Sequence, residues 1–413
     1  MTRLVRRCPD NPLPPDPRYT IRLGAREKCL ARLLSAAAAL LRCFNGLFGP
    51  RGVSRRIVLL EPFGLGDVIS LQPLVDYLLN RDYEVVLCGK ASWKALFPPR
   101  PRFRWIDSGL PWGTHDEAAK YRLSAYFAPV FRQFLLQFRG AARGGIGLDT
   151  RGDIRSTITL YLAGCSKVAT LSHYLGTDLA VPAIAARIVP FARDCRRWQL
   201  NLRFLEVVEA GFDAAEVKPP GFSHLRADAP ATNAIGLVAV APWAGKLWKA
   251  GRWQQLIASL RQRGYQIRAL CGPGQESLAK QEVGDAELTV CGSVQDWARE
   301  LSSCGLIVSL DTGPMHLADA LGIPVVALFG PGMLPLWSLS GPRSIVVDHQ
   351  DCPDFVLCHP VDKNIELGRK FMDKISVEEV LAAVLDRLHP SGEGPTQIAR
   401  RPADPEDEDH KPI

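Results

Sequence analysis

Two uninterrupted apolar runs, Leu306-Ile307-Val308 and Val325-Val326-Ala327-Leu328-Phe329, flank the stretch Asp311-Thr312-Gly313-Pro314-Met315-His316-Leu317-Ala318-Asp319-Ala320-Leu321-Gly322-Ile323-Pro324. Runs that are apolar at every residue are strands buried on both faces, which implies a parallel sheet with helices on both sides. The segment between them has room for one short helix, with Pro314 near its first position and Gly322 just past its end. Asp311 to His316 therefore sit at the joint where a strand ends and a helix begins. Exposed backbone N–H groups and the positive helix end make such a joint an anion site. The side chains of Asp311, Thr312 and His316, with the bare backbone of Gly313, suit a nucleotide diphosphate. An ordinary strand–helix turn with solvated polar residues is the alternative.

A second unit of the same kind begins at Ile57-Val58-Leu59-Leu60 and runs through Glu61-Pro62-Phe63-Gly64-Leu65-Gly66-Asp67 into a helical pattern over 68–79. Tyr83-Glu84-Val85-Val86-Leu87 supplies the next strand, completing a βαβ unit. Gly64 and Gly66 let backbone approach a ligand without a Cβ in the way. Two glycines two apart, with no third three residues later, do not make the dinucleotide fingerprint. Asp67 reads equally as a helix-capping carboxylate and as a functional one.

A chain of 413 residues has room for two ordinary domains plus tails, and 47% hydrophobic content excludes global disorder. The net charge of +7 is uneven: residues 1–56 hold twelve Arg/Lys against three Asp/Glu, and the remainder is close to neutral. Basic character thus belongs to the N-terminal arm, which argues against a nucleic-acid partner. The eleven cysteines are scattered and odd in number, as expected of a reducing cytoplasm. Cys352 and Cys358, near His349 and His359, are too irregularly spaced for the usual structural zinc site, and no acidic metal cluster stands out. No metal or cofactor is expected.

The predicted organisation is a basic extension over 1–56, a first Rossmann-like domain over 57–211, a Pro/Gly-containing linker over 212–232, a second Rossmann-like domain over 233–375, a helix over 376–389 capped by Ser376, and a disordered tail over 390–413. Within the extension, Leu30, Leu33, Leu34, Ala37, Leu41, Phe44 and Phe48 line one helical face, with Lys28, Arg32, Ser35 and Arg42 opposite. Arg32 and Arg42 stand too close together for a membrane span, which needs about 20 apolar residues. A basic amphipathic helix over 27–48 suits an anionic membrane surface; packing on the protein body or on a partner subunit is the alternative. Gly145 to Ser156 reads as a further strand entering a polar turn with Arg151 and Arg155. Parallel-sheet domains bind ligands at the carboxyl ends of their strands. If those ends face each other, Asp67 lies on one wall of a cleft and Asp311 to His316 on the other.

Four blocks in order then resemble glycosyltransferase family 9, the heptosyltransferases of lipopolysaccharide core synthesis. They are Gly64-Leu65-Gly66-Asp67-Val68 with Pro73-Leu74; Leu148-Asp149-Thr150-Arg151-Gly152 leading to Arg155-Ser156; Val240-Ala241-Pro242 with Lys246-Leu247-Trp248-Lys249 and Arg252-Trp253; and Asp311 to His316 with Phe329-Gly330-Pro331. The resemblance implies an α/β GT-B fold, two doubly wound parallel-sheet domains facing a central cleft. It also implies inverting transfer from a nucleotide-activated sugar, often ADP-heptose, to a lipid-linked or anionic saccharide, at the cytoplasmic face of an inner membrane.

Carried over residue by residue, the resemblance makes Asp67 the catalytic base and Lys246 the diphosphate-contacting lysine. Thr312, Gly313 and His316 hold the diphosphate, and Asp311 positions the loop or binds donor hydroxyls. Glu276 is either a ribose contact or an exposed helix residue. Gly64, Gly66, Arg151 and Arg155 fall on the acceptor side, where the two arginines either meet acceptor phosphates or are ordinary turn residues. The chain departs from the family in its 56-residue extension, in Gly64-Leu65 where Ser-Leu is frequent, and in Phe371-Met372 for a late Cys-Met pair. Two rivals share these features: a nucleotide-sugar epimerase of the same shape, and a catalytically silent membrane-associated nucleotide-binding scaffold.

Overall fold

The computed structural model describes residues 25–48, 55–110, 128–171, 185–192, 194–208, 217–227, 233–332, 334–349 and 365–389. Most of the expected linker's two ends (212–216 and 228–232), the tail over 390–413, and Cys352, Cys358 and His359 lie outside these residues.

Two six-stranded sheets are present, and every pair of neighbouring strands is parallel. The first contains β1 (Arg56–Glu61), β2 (Glu84–Gly89), β3 (Phe103–Asp107), β4 (Ile146–Asp149), β5 (Lys167–Leu171) and β6 (Arg187–Val189), in the order β3-β2-β1-β4-β5-β6. The second contains β7 (Ala234–Val238), β8 (Gln266–Cys271), β9 (Glu287–Val290), β10 (Leu306–Leu310), β11 (Val325–Phe329) and β12 (Ile345–Asp348), in the order β12-β11-β10-β7-β8-β9. Strand order reverses between β1 and β4 in one sheet and between β7 and β10 in the other. Crossovers leave such points on opposite faces, so a crevice opens beyond the carboxyl ends of those strands.

The apolar runs bury both faces, as their composition requires. On one side Ile57, Leu59, Val85 and Leu87 meet Val68, Leu71, Leu74 and Leu78 from the helices Leu65–Ile69 and Gln72–Asn80. On the other, Val58, Leu60 and Val86 meet Phe134 and Phe138 of Pro129–Ala142 and Leu160 and Tyr161 of Ile154–Leu162. Each such fully buried Leu or Ile contributes roughly 1.5–3 kcal/mol. The first of these clusters continues through Leu65 and Met315 to Ile307 and Val325 of the second sheet, so the two halves share one core.

Two local details differ from the sequence pattern. The helix expected over 68–79 is two helices, because Pro73 has no N–H to donate and its ring would clash with the carbonyl four residues back. The chain turns at Ser70, whose hydroxyl donates to Asp67 O at 2.6 Å, and restarts at Gln72 with Pro73 in its first turn. The helix Ala25–Phe48 is rotated relative to the apolar face read from sequence. Ala38 is buried with Ala185 against Ile154, Ile158 and Ile188. Arg42, assigned to the solvent side, instead donates to Ala185 O at 2.9 Å, and Asn45 donates to Tyr161 O at 2.8 Å and Cys165 O at 3.1 Å. Fixed backbone carbonyls attract these two polar side chains more than the apolar count anticipates. Leu33 and Phe44 face outward.

The last helix, Val377–Leu388, has the expected cap: Ser376 Oγ accepts from Glu379 N–H at 3.2 Å, and Glu379 Oε2 accepts from Ser376 N–H at 2.9 Å. His349 meets Glu379 Oε1 at 2.9 Å. Among the described residues seven cysteines are free thiols, and no helix is long and apolar enough to cross a membrane.

Candidate active site

The residues singled out in the sequence follow the four strands that flank the two switch points. Asp67 comes after β1, Arg151 after β4, Lys246 after β7 and the Asp311–His316 joint after β10. Topology alone therefore gathers four distant segments at the facing carboxyl ends.

On the first wall, Asp67 lies in the first turn of Leu65–Ile69, with Gly64 as the N-cap residue. Its Oδ2 accepts from Gly64 N–H at 3.2 Å, and its Oδ1 accepts from Arg151 Nη1 at 2.6 Å. Capping and functional readings of Asp67 are thus both satisfied, one by each oxygen. Arg151 is held from several sides. Its guanidinium lies 3.9 Å from the Phe63 ring centroid, and its backbone N–H donates to Asp149 Oδ1 at 3.2 Å. Asp149 is buried under the hydroxyls of Thr157 (3.0 Å) and Thr170 (2.8 Å), and burial pushes its carboxyl up to about 7 against those hydrogen bonds.

Glu61, at the carboxyl end of β1, has no solvent exposure. Its Oε1 stands 3.8 Å from Arg151 Nη1 and its Oε2 accepts from Thr150 Oγ1 at 3.4 Å. Burial pushes its carboxyl up to about 8; the Asp67 charge adds to the rise, and Arg151 and Arg197 oppose it. Glu61 is therefore largely protonated at neutral pH, and Arg151 is left to pair with Asp67. The folded-state value is raised from the ordinary 4.5, so the stability linked to Glu61 is present below 4.5 and is lost as pH rises through about 8. Glu61→Gln is expected to flatten that decline, which runs at up to ~1.4 kcal/mol per pH unit. Urea unfolding of both proteins across this range checks it.

Lys90, just past β2, completes this wall: burial lowers its pKa, while the charges of Asp67 and Glu61 raise it. Arg197 reaches in to donate to Thr150 O at 2.6 Å. Arg155 is not gathered here. It folds back on Asp153, the N-cap of its own helix, through Nε (3.0 Å) and Nη2 (2.7 Å).

On the second wall, Thr312 is the N-cap of the helix Gly313–Ala320, with Pro314 in its first turn and Gly322 at φ +74° beyond its end. Thr312 Oγ1 donates to Leu310 O at 3.2 Å and does not cap the helix, so among the described residues its N-cap side chain leaves the first N–H groups open. Lys246 Nζ donates to Asp311 Oδ2 at 2.6 Å and to Asp311 O at 3.1 Å. The loop carrying Lys246 is anchored by Trp248, which donates to Ile375 O at 2.9 Å and packs edge-on to Trp253. His316 stacks obliquely on Trp337 with ring centroids 5.5 Å apart. Burial lowers its pKa against the raising charge of Asp311, leaving a neutral imidazole at pH 7. Glu276 stands apart, in the first turn of Glu276–Val283 after β8, where burial pushes the Cys271 thiol up and the Glu276 charge adds to the rise.

The two walls meet through glycines. A Cβ on Gly66 would lie 2.7 Å from His316 Cδ2, and one on Gly313 would lie 2.7 Å from Leu65 Cβ. Only bare backbone lets the helix bearing Asp67 approach the diphosphate-type joint this closely. Gly313→Ala is expected to push the walls apart and cost about 1–3 kcal/mol, read as a fall in the urea midpoint.

Glu61, Lys90 and Arg197 escaped the sequence reading. For Glu61 the signal was present: a carboxylate closing an otherwise apolar strand, Ile57-Val58-Leu59-Leu60-Glu61, is either solvated or functional. Lys90 and Arg197 carried no local pattern, since only the fold brings them to the switch point.

Residues 208–356 match the family model described as glycosyltransferase family 9 (heptosyltransferase). Lipopolysaccharide heptosyltransferase 3 of Escherichia coli K12 is 26% identical over 152 residues, 33% of this chain and 41% of that protein. Lipopolysaccharide heptosyltransferase 1 of Pseudomonas aeruginosa is 31% identical over 93 residues, 22% of this chain and 26% of that protein. The matched segment thus spans less than half the length of these curated relatives. Among solved structures, a family 9 glycosyltransferase from Veillonella parvula superimposes with a TM-score of 0.64 at 17% identity, covering 83% of this chain and all of that one. E. coli heptosyltransferase WaaC with ADP superimposes at 0.60 and 16% identity, covering 80% of this chain and 99% of that one. At these identities the likeness is one of fold, and the fold is GT-B.

Proposed function

From the match of residues 208–356 to the glycosyltransferase family 9 model, we propose that this chain belongs to that family and transfers a heptose from ADP-heptose to a lipid-linked saccharide of the lipopolysaccharide core, with inversion at the sugar. The names of its relatives, lipopolysaccharide heptosyltransferases and an ADP-heptose enzyme, support this choice of donor and acceptor. The observation that carries the proposal is the approach of two strand-end joints across one crevice. The Asp67–Arg151 pair stands on one side, Lys246 with the open N-terminus of Gly313–Ala320 on the other.

In this reading the donor diphosphate lies against the N–H groups of Gly313–Ala320, near Lys246 and the His316 N–H. Lys246 turns part of its hydrogen bonding from Asp311 to the leaving phosphate. Asp67 accepts the proton of the attacking acceptor hydroxyl as the new C–O bond forms. The bond from the anomeric carbon to the diphosphate breaks on the opposite face, its electron pair leaving with the ADP. Arg151 holds Asp67 in place, and with Lys90 it gives the acceptor wall a positive character suited to an anionic saccharide. Arg155, engaged with Asp153, is a support of the turn. The enzyme works at the cytoplasmic face of an inner membrane, with the helix Ala25–Phe48 at the lipid.

A thermal-shift screen with ADP, GDP, UDP and CMP tests the donor side. ADP at about 100 times its Kd is expected to add ~2.7 kcal/mol of stability, an effect lost in His316→Ala and Lys246→Ala. A shift with UDP or GDP in place of ADP would discard heptose, and no shift with any nucleotide would remove the transferase reading itself.

A further inference from the structure

Three helices cover the same face of the first sheet: Pro129–Ala142 and Ile154–Leu162, with Ala25–Phe48 lying against the latter and Leu41 joining their core. Over residues 33–47 the outer surface of Ala25–Phe48 is apolar. Leu33, Leu40, Phe44 and Leu47 are 64%, 72%, 55% and 68% exposed, and the other exposed positions between them are Ala36, Ala37, Cys43 and Gly46. At about 1.5 Å per residue this stripe is ~21 Å long. Val130 and Leu136 on Pro129–Ala142, and Leu162 at the end of the third helix, are exposed as well, at 70%, 64% and 38%. Soluble surfaces rarely gather this many exposed large apolar side chains on one set of neighbouring helices.

Charge identifies the occupant. Across the three helices the sequence has seven Arg/Lys and a single carboxylate, Glu27, and the segment before them adds five arginines against two aspartates. Arg32, Arg132 and Arg139 are exposed. A second copy of the same face would bring these cations together, whereas an anionic lipid headgroup layer neutralises them while its acyl boundary takes the leucines.

We propose that this three-helix face lies flat on an anionic phospholipid surface, with Leu40 and Phe44 at the centre of the inserted stripe. The packing also fixes direction. Ala38 sits by Ile154 and Ile158, and Asn45 by Tyr161 and Cys165, so Ala25–Phe48 runs parallel to Ile154–Leu162. The latter begins three residues after Arg151. The turns around Leu33 are therefore level with the loop that carries Arg151, and the earlier turns reach past it toward the crevice mouth. A sugar anchored in the same lipid layer meets Asp67 without leaving the membrane. That consequence rests on the proposed acceptor; the lipid contact itself does not.

Flotation of the full chain with vesicles of phosphatidylglycerol and phosphatidylcholine in equal parts, against phosphatidylcholine alone, tests it. Co-flotation with the anionic vesicles only, weakened by salt, is expected. The double variant Leu40→Glu/Phe44→Glu and, on a separate helix, Leu136→Glu are each expected to reduce partitioning roughly tenfold or more. All these positions are exposed, so the urea midpoint of each variant should match the parent, separating lost lipid contact from lost folding. Absence of flotation, or flotation unchanged in both variants, overturns the proposal. So does a dimer in sedimentation equilibrium that Leu40→Glu/Phe44→Glu dissolves, which would assign the stripe to a second copy. ADP binding is unaffected in every case, so failure here leaves the donor reading standing.

Discussion

Asp67→Asn is expected to lower sugar transfer by roughly 10²–10⁴-fold, the usual contribution of a positioned general base, while leaving ADP affinity close to that of the parent. The amide keeps the size of the carboxylate and can still accept from Gly64 N–H, so the first turn of Leu65–Ile69 survives. What it loses is the ability to take the acceptor proton, together with the charge that pairs with Arg151 at 2.6 Å. The fall should lie in kcat, because the donor contacts are on the other wall. Steady-state kinetics with varied donor, alongside ADP titration, reads both quantities. Asp67→Asn with full turnover would reduce Asp67 to a helix cap and move the search for a base to other groups near Arg151. Glu61 would be a poor substitute, since burial keeps it protonated near neutrality.

Lys246→Ala is expected to act on both binding and chemistry. Loss of a cation that neutralises a departing diphosphate lowers kcat by about 10²–10³-fold, and the donor KM rises with it. There is also a structural cost. Asp311 is 7% exposed and has Lys246 Nζ at 2.6 Å on its carboxylate. Removing the lysine strands that charge, a loss of about 1–3 kcal/mol after allowance for the 27% exposure of Lys246 itself. Lys246→Ala/Asp311→Asn should recover most of the stability and none of the turnover, and that separation is what a purely structural ion pair would fail to give. Urea unfolding and single-turnover transfer on the three variants check it.

Much of the site is visible in the sequence because its chemistry is local. The Asp311–His316 joint declares itself through two runs apolar at every residue, a proline that can start a helix and a glycine that can end one. Ser376 with Glu379 caps the last helix by the same short-range logic. Pro73 shows the limit of pattern reading: the apolar spacing over 68–79 runs straight through it, yet steric clash with the preceding turn breaks the helix at Ser70. Arg42 shows another limit. Helical periodicity places it opposite the leucines, but carbonyl oxygens more than a hundred residues away decide which side of Ala25–Phe48 turns inward.

The sequence by itself determined which segments become buried parallel strands, where their helices start, and which polar groups stand at the strand ends, because those depend on side-chain burial and backbone sterics within a few residues. Tertiary structure decided the rest. Strand order brings the ends of β1, β4, β7 and β10 together. Bare glycine backbone at Gly66 and Gly313 lets the two walls touch. Burial, with the Asp67 charge beside it, keeps a proton on Glu61 at neutral pH against the opposing charges of Arg151 and Arg197. Each of these depends on distances between groups far apart along the chain, and only the folded packing sets those distances.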